Sequence, residues 1–260
     1  MRLTYVDILR GFAVLWMIFF QLLDMFSDYN LYGQHWFYVV NWVPIFFVVA
    51  GFSSNLMFMK YGVKRFYVKV LKRFTFFASI GFFLVYWCEF KAKSLLVFDA
   101  DVVGSIGLNL LLLSILFLFT VKTSNIKHNV LWFGFWSLFM FVLNWLFPLD
   151  VIFSPFYMLF LMCIGVCLAF LKEKIPFQYI EKIPFRKVLA YFGKHPLFFY
   201  FFHFAFFQKL LLVLNRFQTF SVAEGVFLTV SSVLILVILE KFRSLLRGLG
   251  VFAYMSKSLF

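Results

Sequence analysis

Long apolar segments constrain this chain more than any other feature of its sequence. Most are roughly 20 residues long, which is the length that an α-helix needs to cross the hydrocarbon core of a bilayer. Their apolar residues follow one another without the alternation that strands of a membrane barrel require. Because only helices and closed barrels satisfy every backbone polar group in lipid, we predict an all-α, polytopic integral membrane protein with about eight transmembrane helices. The predicted spans are 8–26, 37–59, 74–88, 102–121, 130–147, 151–171, 197–214 and 222–239.

Composition and charge agree with this class and indicate an orientation. Of the 260 residues, 64% are hydrophobic and only 13% are charged, which excludes an ordinary soluble domain. With the N-terminus in the cytoplasm, most of the 24 Lys and Arg residues fall in cytoplasmic segments and most of the 11 acidic residues fall outside. We therefore predict a multi-pass protein of the plasma membrane with both ends in the cytoplasm. The net charge of +13 is explained by contact with the lipid bilayer, and no nucleic-acid partner is expected.

A charged pair stands at the start of the first apolar segment. Asp7 and Arg10 are three residues apart, so they share one helical turn and can form an ion pair. A positively flanked first helix would explain the pair by itself. However, an arginine within an apolar run needs an anionic partner, and Gly11 leaves room for another backbone or a ligand.

Small and polar residues interrupt the second apolar segment at 50–55, where Ser53 and Asn55 lie. Such a patch permits close helix packing. A basic stretch follows at 60–73 and includes Lys64, Arg65 and Arg73. Two interpretations of this stretch stay open, namely contact with lipid headgroups and binding of the phosphates of a nucleotide-like donor.

Four further polar residues lie in or near predicted spans, where polar groups are rare because they are costly. Gln21 and Asp24 come late in the first span, His35 follows in the outer loop, and His203 lies early in the seventh span. Histidine titrates near neutral pH and is the usual general base. A loop histidine is more often simply solvated, and one within a membrane helix often bonds to another helix, so both alternatives remain. Cys163 and Cys167 are too few for a zinc site and are expected to be core residues.

Three motifs occur in an order that is known from one group of enzymes. Arg-x4-Asp-x2-Arg-Gly-x-Ala opens the chain, a Gly-x-Ser helix ends in the basic stretch, and Gly-Lys-x-x-Leu-x-x-Tyr-x-x-His at 193–203 opens a late span. The chain resembles the transmembrane acyltransferase superfamily. Within it, the chain is most similar to the catalytic-domain family of heparan-α-glucosaminide N-acetyltransferase, in its compact prokaryotic form.

The resemblance implies one domain over residues 1–260 that transfers an acyl group across the membrane, usually acetyl from acetyl-CoA, to a sugar hydroxyl or amine. No metal is implied. In the family the active histidine follows the first span in a Gln-His pair, and Gln34-His35 stands in a comparable place. His35 is thus the expected catalytic base, with Asp24 orienting its imidazole. The expected substrate-binding residues are Arg2, Asp7, Arg10, Gln21, Ser53, Asn55, Lys64, Arg65, Arg73 and His203.

A non-enzymatic membrane protein is the alternative, either a small-solute or lipid transporter or an inactive acyltransferase-like scaffold. Related membrane O-acyltransferases carry a histidine late in the first helix, where this chain has Gln21. Many prokaryotic relatives carry another in the fourth span, and the stretch 102–107 has none. The acceptor and the oligomeric state are left open, with a homodimer as one arrangement.

Overall fold

The computed structural model describes residues 4–26, 43–89, 102–120, 126–147, 155–196, 198–199 and 222–248. Every regular element within these ranges is helical, which confirms the all-α class. Seven α-helices and one 3-10 helix (Phe177–Lys182) fall in the described part of the chain. The α-helices are α1 (Thr4–Phe26), α2 (Val43–Glu89), α3 (Val102–Leu118), α4 (Ile126–Leu146), α5 (Pro155–Phe170), α6 (Arg186–Lys194) and α7 (Val222–Gly248).

The helices follow the predicted spans closely where both can be compared. By length and composition, Pro44–Ser79 in α2 and Ile126–Leu146 in α4 are long and apolar enough to cross a membrane. Gly104–Leu118 and Pro155–Phe170 are apolar but shorter. The seventh predicted span, 197–214, lies outside the described residues except for two positions. The count of eight spans and the cytoplasmic position of both ends therefore stay predictions.

A single glycine divides α2 within the basic stretch at 60–73, which separates the second and third predicted spans. Gly62 has φ 69° and ψ 176°, a backbone conformation that is open almost only to glycine. The chain is helical on both sides of it, so the basic stretch lies on helix and not on loop. The break also brings Phe58 and Phe66 to a ring separation of 5.2 Å. In a straight helix these residues would be about 12 Å apart along the axis.

Aromatic side chains fill the core around this break. The buried ring of Phe117 in α3 lies 4.8 Å from Phe58, 5.1 Å from Phe66 and 4.9 Å from Phe133 of α4. One phenylalanine thus joins α2, α3 and α4. Phenylalanine side chains therefore form part of the core, while α4 exposes large apolar residues at Leu131, Phe135, Leu138 and Trp145, as expected for a helix that faces lipid.

Paired glycines allow α2 and α5 to touch through their backbones. A Cβ atom at Gly51 would lie 2.0 Å from the carbonyl oxygen of Met162, and one at Gly165 would lie 1.9 Å from that of Val48. Real Cβ atoms essentially never approach closer than 3.0 Å. The prediction that the small-residue patch permits close helix packing is confirmed. Cys163 is buried on the same helix and Cys167 donates to the Val130 carbonyl at 3.6 Å, so both are packed core residues, as predicted.

Candidate functional site

The predicted pair of Asp7 and Arg10 forms and extends to a second helix. Nη1 of Arg10 lies 3.5 Å from Oδ1 of Asp7, and Nη2 donates to Oγ of Ser53 at 2.5 Å. The Asp7 side chain is only 3% exposed, whereas that of Arg10 is 29% exposed. A buried carboxylate requires such a partner because its desolvation is otherwise very costly. Arg10 thereby ties α1 to the small-residue patch of α2.

Two glycines set the position of this pair by letting α1 and α6 cross in backbone contact. A Cβ at Gly11 would lie 1.7 Å from the Leu189 carbonyl oxygen, and a Cβ at Gly193 would lie 1.7 Å from the Asp7 carbonyl oxygen. Each glycine therefore stands where the other helix leaves no space for a side chain. The prediction that Gly11 admits another backbone is confirmed, and that backbone belongs to α6.

A second polar cluster joins α6 to α7, and no motif in the sequence predicted it. The hydroxyl of Tyr191 donates to Oε2 of Glu240, and Nε2 of His195 lies 3.7 Å from Oε1 of the same carboxylate. The rings of Tyr191 and His195 are 5.9 Å apart. The Glu240 side chain is 3% exposed and that of His195 is 34% exposed. A carboxylate held between a phenol and an imidazole can carry or exchange a proton, and the partly open imidazole gives the cluster access to its surroundings.

The signal for this cluster was weak in the sequence. Tyr191 and His195 are four residues apart and so lie on one face of α6 and its end. Glu240 immediately follows the last predicted span, where a charged residue looks like an ordinary helix end. Its partner Tyr191 is 49 residues away from it along the chain. A contact between residues so far apart in the sequence cannot be predicted from a local sequence pattern.

Asn55 faces a different neighbour from Ser53. Its Nδ2 lies 3.5 Å from the carbonyl oxygen of Val166 on α5, and the residue is buried. Among the described residues its Oδ1 has no hydrogen-bond partner. Positions two apart on a helix point in widely different directions, which explains why Ser53 contacts α1 while Asn55 contacts α5.

The basic stretch forms an open groove beside the break at Gly62. Lys64 and Arg65 line it together with Tyr61, Val68, Lys69 and Lys72, around a volume of about 590 Å³. Nζ of Lys69 lies 3.6 Å from the centre of the Tyr61 ring. Arg73 is not among the lining residues. Four cationic side chains on one helical surface suit an anionic ligand such as a phosphate.

Several predicted site residues cannot be compared with the structure. Arg2, His35 and His203 lie outside the described residues, and for Gln21 and Asp24 only the helical backbone of α1 is described. The pairing of His35 with Asp24 thus stays a prediction. The structure brings together Asp7, Arg10 and Ser53, and it places Lys64 and Arg65 in one groove.

One model of a known protein family matches most of the chain. A family model described as "Heparan-alpha-glucosaminide N-acetyltransferase, catalytic" matches residues 2–205. No curated protein and no solved structure matches the chain. The matched region includes Asp7, Arg10, Ser53, Tyr191 and His195, whereas Glu240 lies beyond it. The chain therefore belongs to the heparan-α-glucosaminide N-acetyltransferase catalytic family. This family suggests a membrane acetyltransferase-like function.

Proposed function

We propose that this protein moves an acyl group, acetyl in the first instance, from cytoplasmic acyl-CoA to a sugar or glycoconjugate acceptor at the outer face of the plasma membrane. The family match over residues 2–205 is the observation that carries the proposal. The proposal treats residues 1–260 as one domain with about eight spans and both ends in the cytoplasm. Acetyl-CoA is the donor substrate, and no metal takes part.

The donor phosphates would bind the groove beside Gly62. CoA carries a diphosphate and a separate phosphate on its ribose, and the groove offers Lys64, Arg65, Lys69 and Lys72. Arginine and lysine bind phosphate through charge-assisted hydrogen bonds. Arg2 and Arg73 would add positive charge near the same end of the molecule.

The chemistry would take place at His35. Its imidazole would remove a proton from the acceptor hydroxyl or amine, which then attacks the thioester carbon, and the CoA thiolate leaves as the C–S bond breaks. Alternatively His35 would carry the acyl group briefly before passing it on. Asp24 would orient the imidazole. Gln21, Ser53, Asn55 and His203 would line the route, while Asp7 and Arg10 keep α1 against α2.

An acetyl-transfer assay on protein in liposomes tests the role of His35. We expect His35→Ala to lower turnover by about 100-fold or more, because general acid–base groups typically contribute that much. His128→Ala is the matched control, since His128 is an exposed histidine at the start of α4. Unchanged turnover in His35→Ala would remove this residue from the mechanism.

Thermal unfolding with CoA tests donor binding and separates the enzyme from the non-enzymatic alternative. A ligand that binds only the folded state at about 100 times its Kd stabilises it by about 2.7 kcal/mol. We expect a concentration-dependent rise in Tm that Lys64→Gln with Arg65→Gln weakens. Lys127→Gln is the control, because Lys127 is exposed on α4 and does not line the groove. No rise at saturating CoA would favour the transporter or scaffold alternative.

A further inference from the structure

The connector that follows α5, at residues 171–196, presents a surface that takes no part in the proposed acyl transfer. It begins after Phe170 and contains the 3-10 helix and α6. One face of α6 is buried at Ala190, Phe192 and Gly193, where it packs on α1. The other side of the connector, over residues 179–188, is open and carries both apolar and basic side chains. We call residues 179–188 the connector surface.

Large apolar side chains are exposed along the connector surface. Tyr179 is 61% exposed, Ile183 42%, Phe185 80% and Val188 49%. Four such residues within ten positions exceed the scattered exposure that is normal on a protein surface. They indicate that apolar groups from outside the described residues, and not water alone, contact this surface.

Phe185 adopts a backbone conformation that turns its ring into the open. It has φ 64° and ψ 11°, in the left-handed region, and it is the sole non-glycine residue with positive φ in the described part of the chain. Its carbonyl oxygen accepts hydrogen bonds from the amides of Val188 and Leu189, at 2.9 Å and 3.0 Å, and so begins α6. A phenylalanine is a poor choice for such a position unless its ring is used. Phe185 is thus the most exposed of the large apolar side chains in the connector surface.

Basic side chains alternate with these apolar ones. Lys182, Arg186 and Lys187 are all exposed, and Glu181 is the one acid within the connector surface. Nζ of Lys182 lies 5.2 Å from the Tyr179 ring centre, and Nη1 of Arg186 donates to the backbone carbonyl of Glu181 at 2.5 Å. Aromatic and aliphatic anchors beside lysine and arginine are the composition of segments that lie in the interface of an anionic membrane.

We propose that the connector surface is a binding site for anionic phospholipid. Phe185, Ile183 and Val188 insert at the boundary between headgroups and acyl chains, and Tyr179 lies at headgroup level. Lys182, Arg186 and Lys187 bind the lipid phosphates. The connector follows directly from the apolar helix α5, which ends at the cytoplasmic side of the membrane in the predicted topology. The proposal holds whether or not the protein transfers acyl groups.

Lipid selectivity provides the first test. The Tm of the purified protein in neutral detergent is followed while phosphatidylglycerol or phosphatidylcholine is added. We expect phosphatidylglycerol to stabilise the protein, and the triple variant Lys182→Gln, Arg186→Gln, Lys187→Gln to need roughly ten- to a hundredfold more of it. The control triple Lys127→Gln, Lys172→Gln, Lys241→Gln removes the same charge from exposed positions outside the connector surface and should weaken the response much less than the first triple does. Equal responses of the two triple variants would overturn the proposal.

Insertion depth provides the second test and stays informative if a charge variant folds poorly. A nitroxide label is placed at Phe185→Cys, and for comparison at Lys174→Cys, in a chain whose native cysteines are replaced by alanine. In nanodiscs that contain phosphatidylglycerol, we expect the label at 185 to collide mainly with oxygen and the label at 174 mainly with a water-soluble nickel complex. A label at 185 that behaves like the one at 174 would show that a soluble partner, and not lipid, covers this surface.

Discussion

Replacing Gly193 by alanine directs a methyl group into the backbone of α1. The new Cβ would lie 1.7 Å from the Asp7 carbonyl oxygen, 2.6 Å from its carbon and 2.8 Å from the amide nitrogen of Gly11. These are backbone atoms, so no side chain can rotate away to make room. Reaching the 3.0 Å that real Cβ atoms tolerate requires α1 and α6 to separate by about 1.3 Å.

The size of the effect follows from this separation. Overpacking a filled site typically costs about 1–3 kcal/mol, and a backbone obstacle belongs at the upper end of that range. Alanine regains up to about 1 kcal/mol through its higher helix propensity. We therefore expect Gly193→Ala to lower the free energy of unfolding by about 1–2 kcal/mol and the Tm by about 2–8 °C. The same movement shifts Asp7, so the contact of Arg10 with Ser53 should weaken as well.

Thermal unfolding in detergent or nanodiscs measures this effect against a matched glycine. Gly134 lies within α4, and nothing lies within 4 Å of a Cβ added there. Gly134→Ala should therefore leave the Tm unchanged or raise it slightly. If Gly193→Ala proves as stable as Gly134→Ala, the close crossing of α1 and α6 does not exist in solution.

Three further predictions concern single positions. Gly62→Ala should lower the free energy of unfolding by about 1–3 kcal/mol purely through backbone strain, since nothing lies within 4 Å of its Cβ; wild-type stability in chemical denaturation would contradict the observed break. Asp7→Asn removes the carboxylate that faces Arg10 and should cost about 1–2 kcal/mol, and its loss of Tm combined with Arg10→Met should be smaller than the sum of the two single losses; strictly additive losses would mean that the two residues do not interact. Glu240→Gln should cost about 1–2 kcal/mol by weakening its contacts with Tyr191 and His195, whereas Lys241→Gln next to it should be neutral; equal Tm values for these two variants would refute the buried cluster.

The sequence predicted the helices well because lipid imposes a length on every apolar segment. The predicted span 8–26 and helix α1 (Thr4–Phe26) end at the same residue, and the predicted span 102–121 corresponds to α3 (Val102–Leu118). The break in α2 was harder to predict. Lysine and arginine are good helix formers, so a basic stretch indicates where the membrane ends and not where the helix ends. Only Gly62 interrupts α2, and the break there accompanies the contact of Phe58 with Phe66.

The contacts at the candidate site are of two kinds. Some join residues that are close together in the sequence, and others join residues that are far apart in it. The pairing of Asp7 with Arg10 is local, so their spacing alone predicted it. Ser53 was expected to be a functional residue, yet its contact with Arg10 spans 43 residues and required the crossing of α1 and α2. Glu240 was missed for the same reason, since its contact with Tyr191 spans 49 residues. Sequence patterns report the local part of a site, and tertiary packing supplies the rest.

Helix α6 links the two polar clusters and gives both of them a structural role. It contacts α1 through Gly193 and Gly11, and its Tyr191 and the following His195 hold Glu240 of α7. Within lipid, helices associate through close packing and polar contacts, because lipid tails are as apolar as the helix side chains and no hydrophobic driving force acts between helices. Removing Arg10 or Glu240 would therefore loosen the helix assembly whether or not these groups touch a substrate. Loss of activity in such a variant argues for chemistry only when its Tm and its response to CoA stay intact. A variant of His35 that keeps both and still loses turnover would identify that residue as part of the reaction itself.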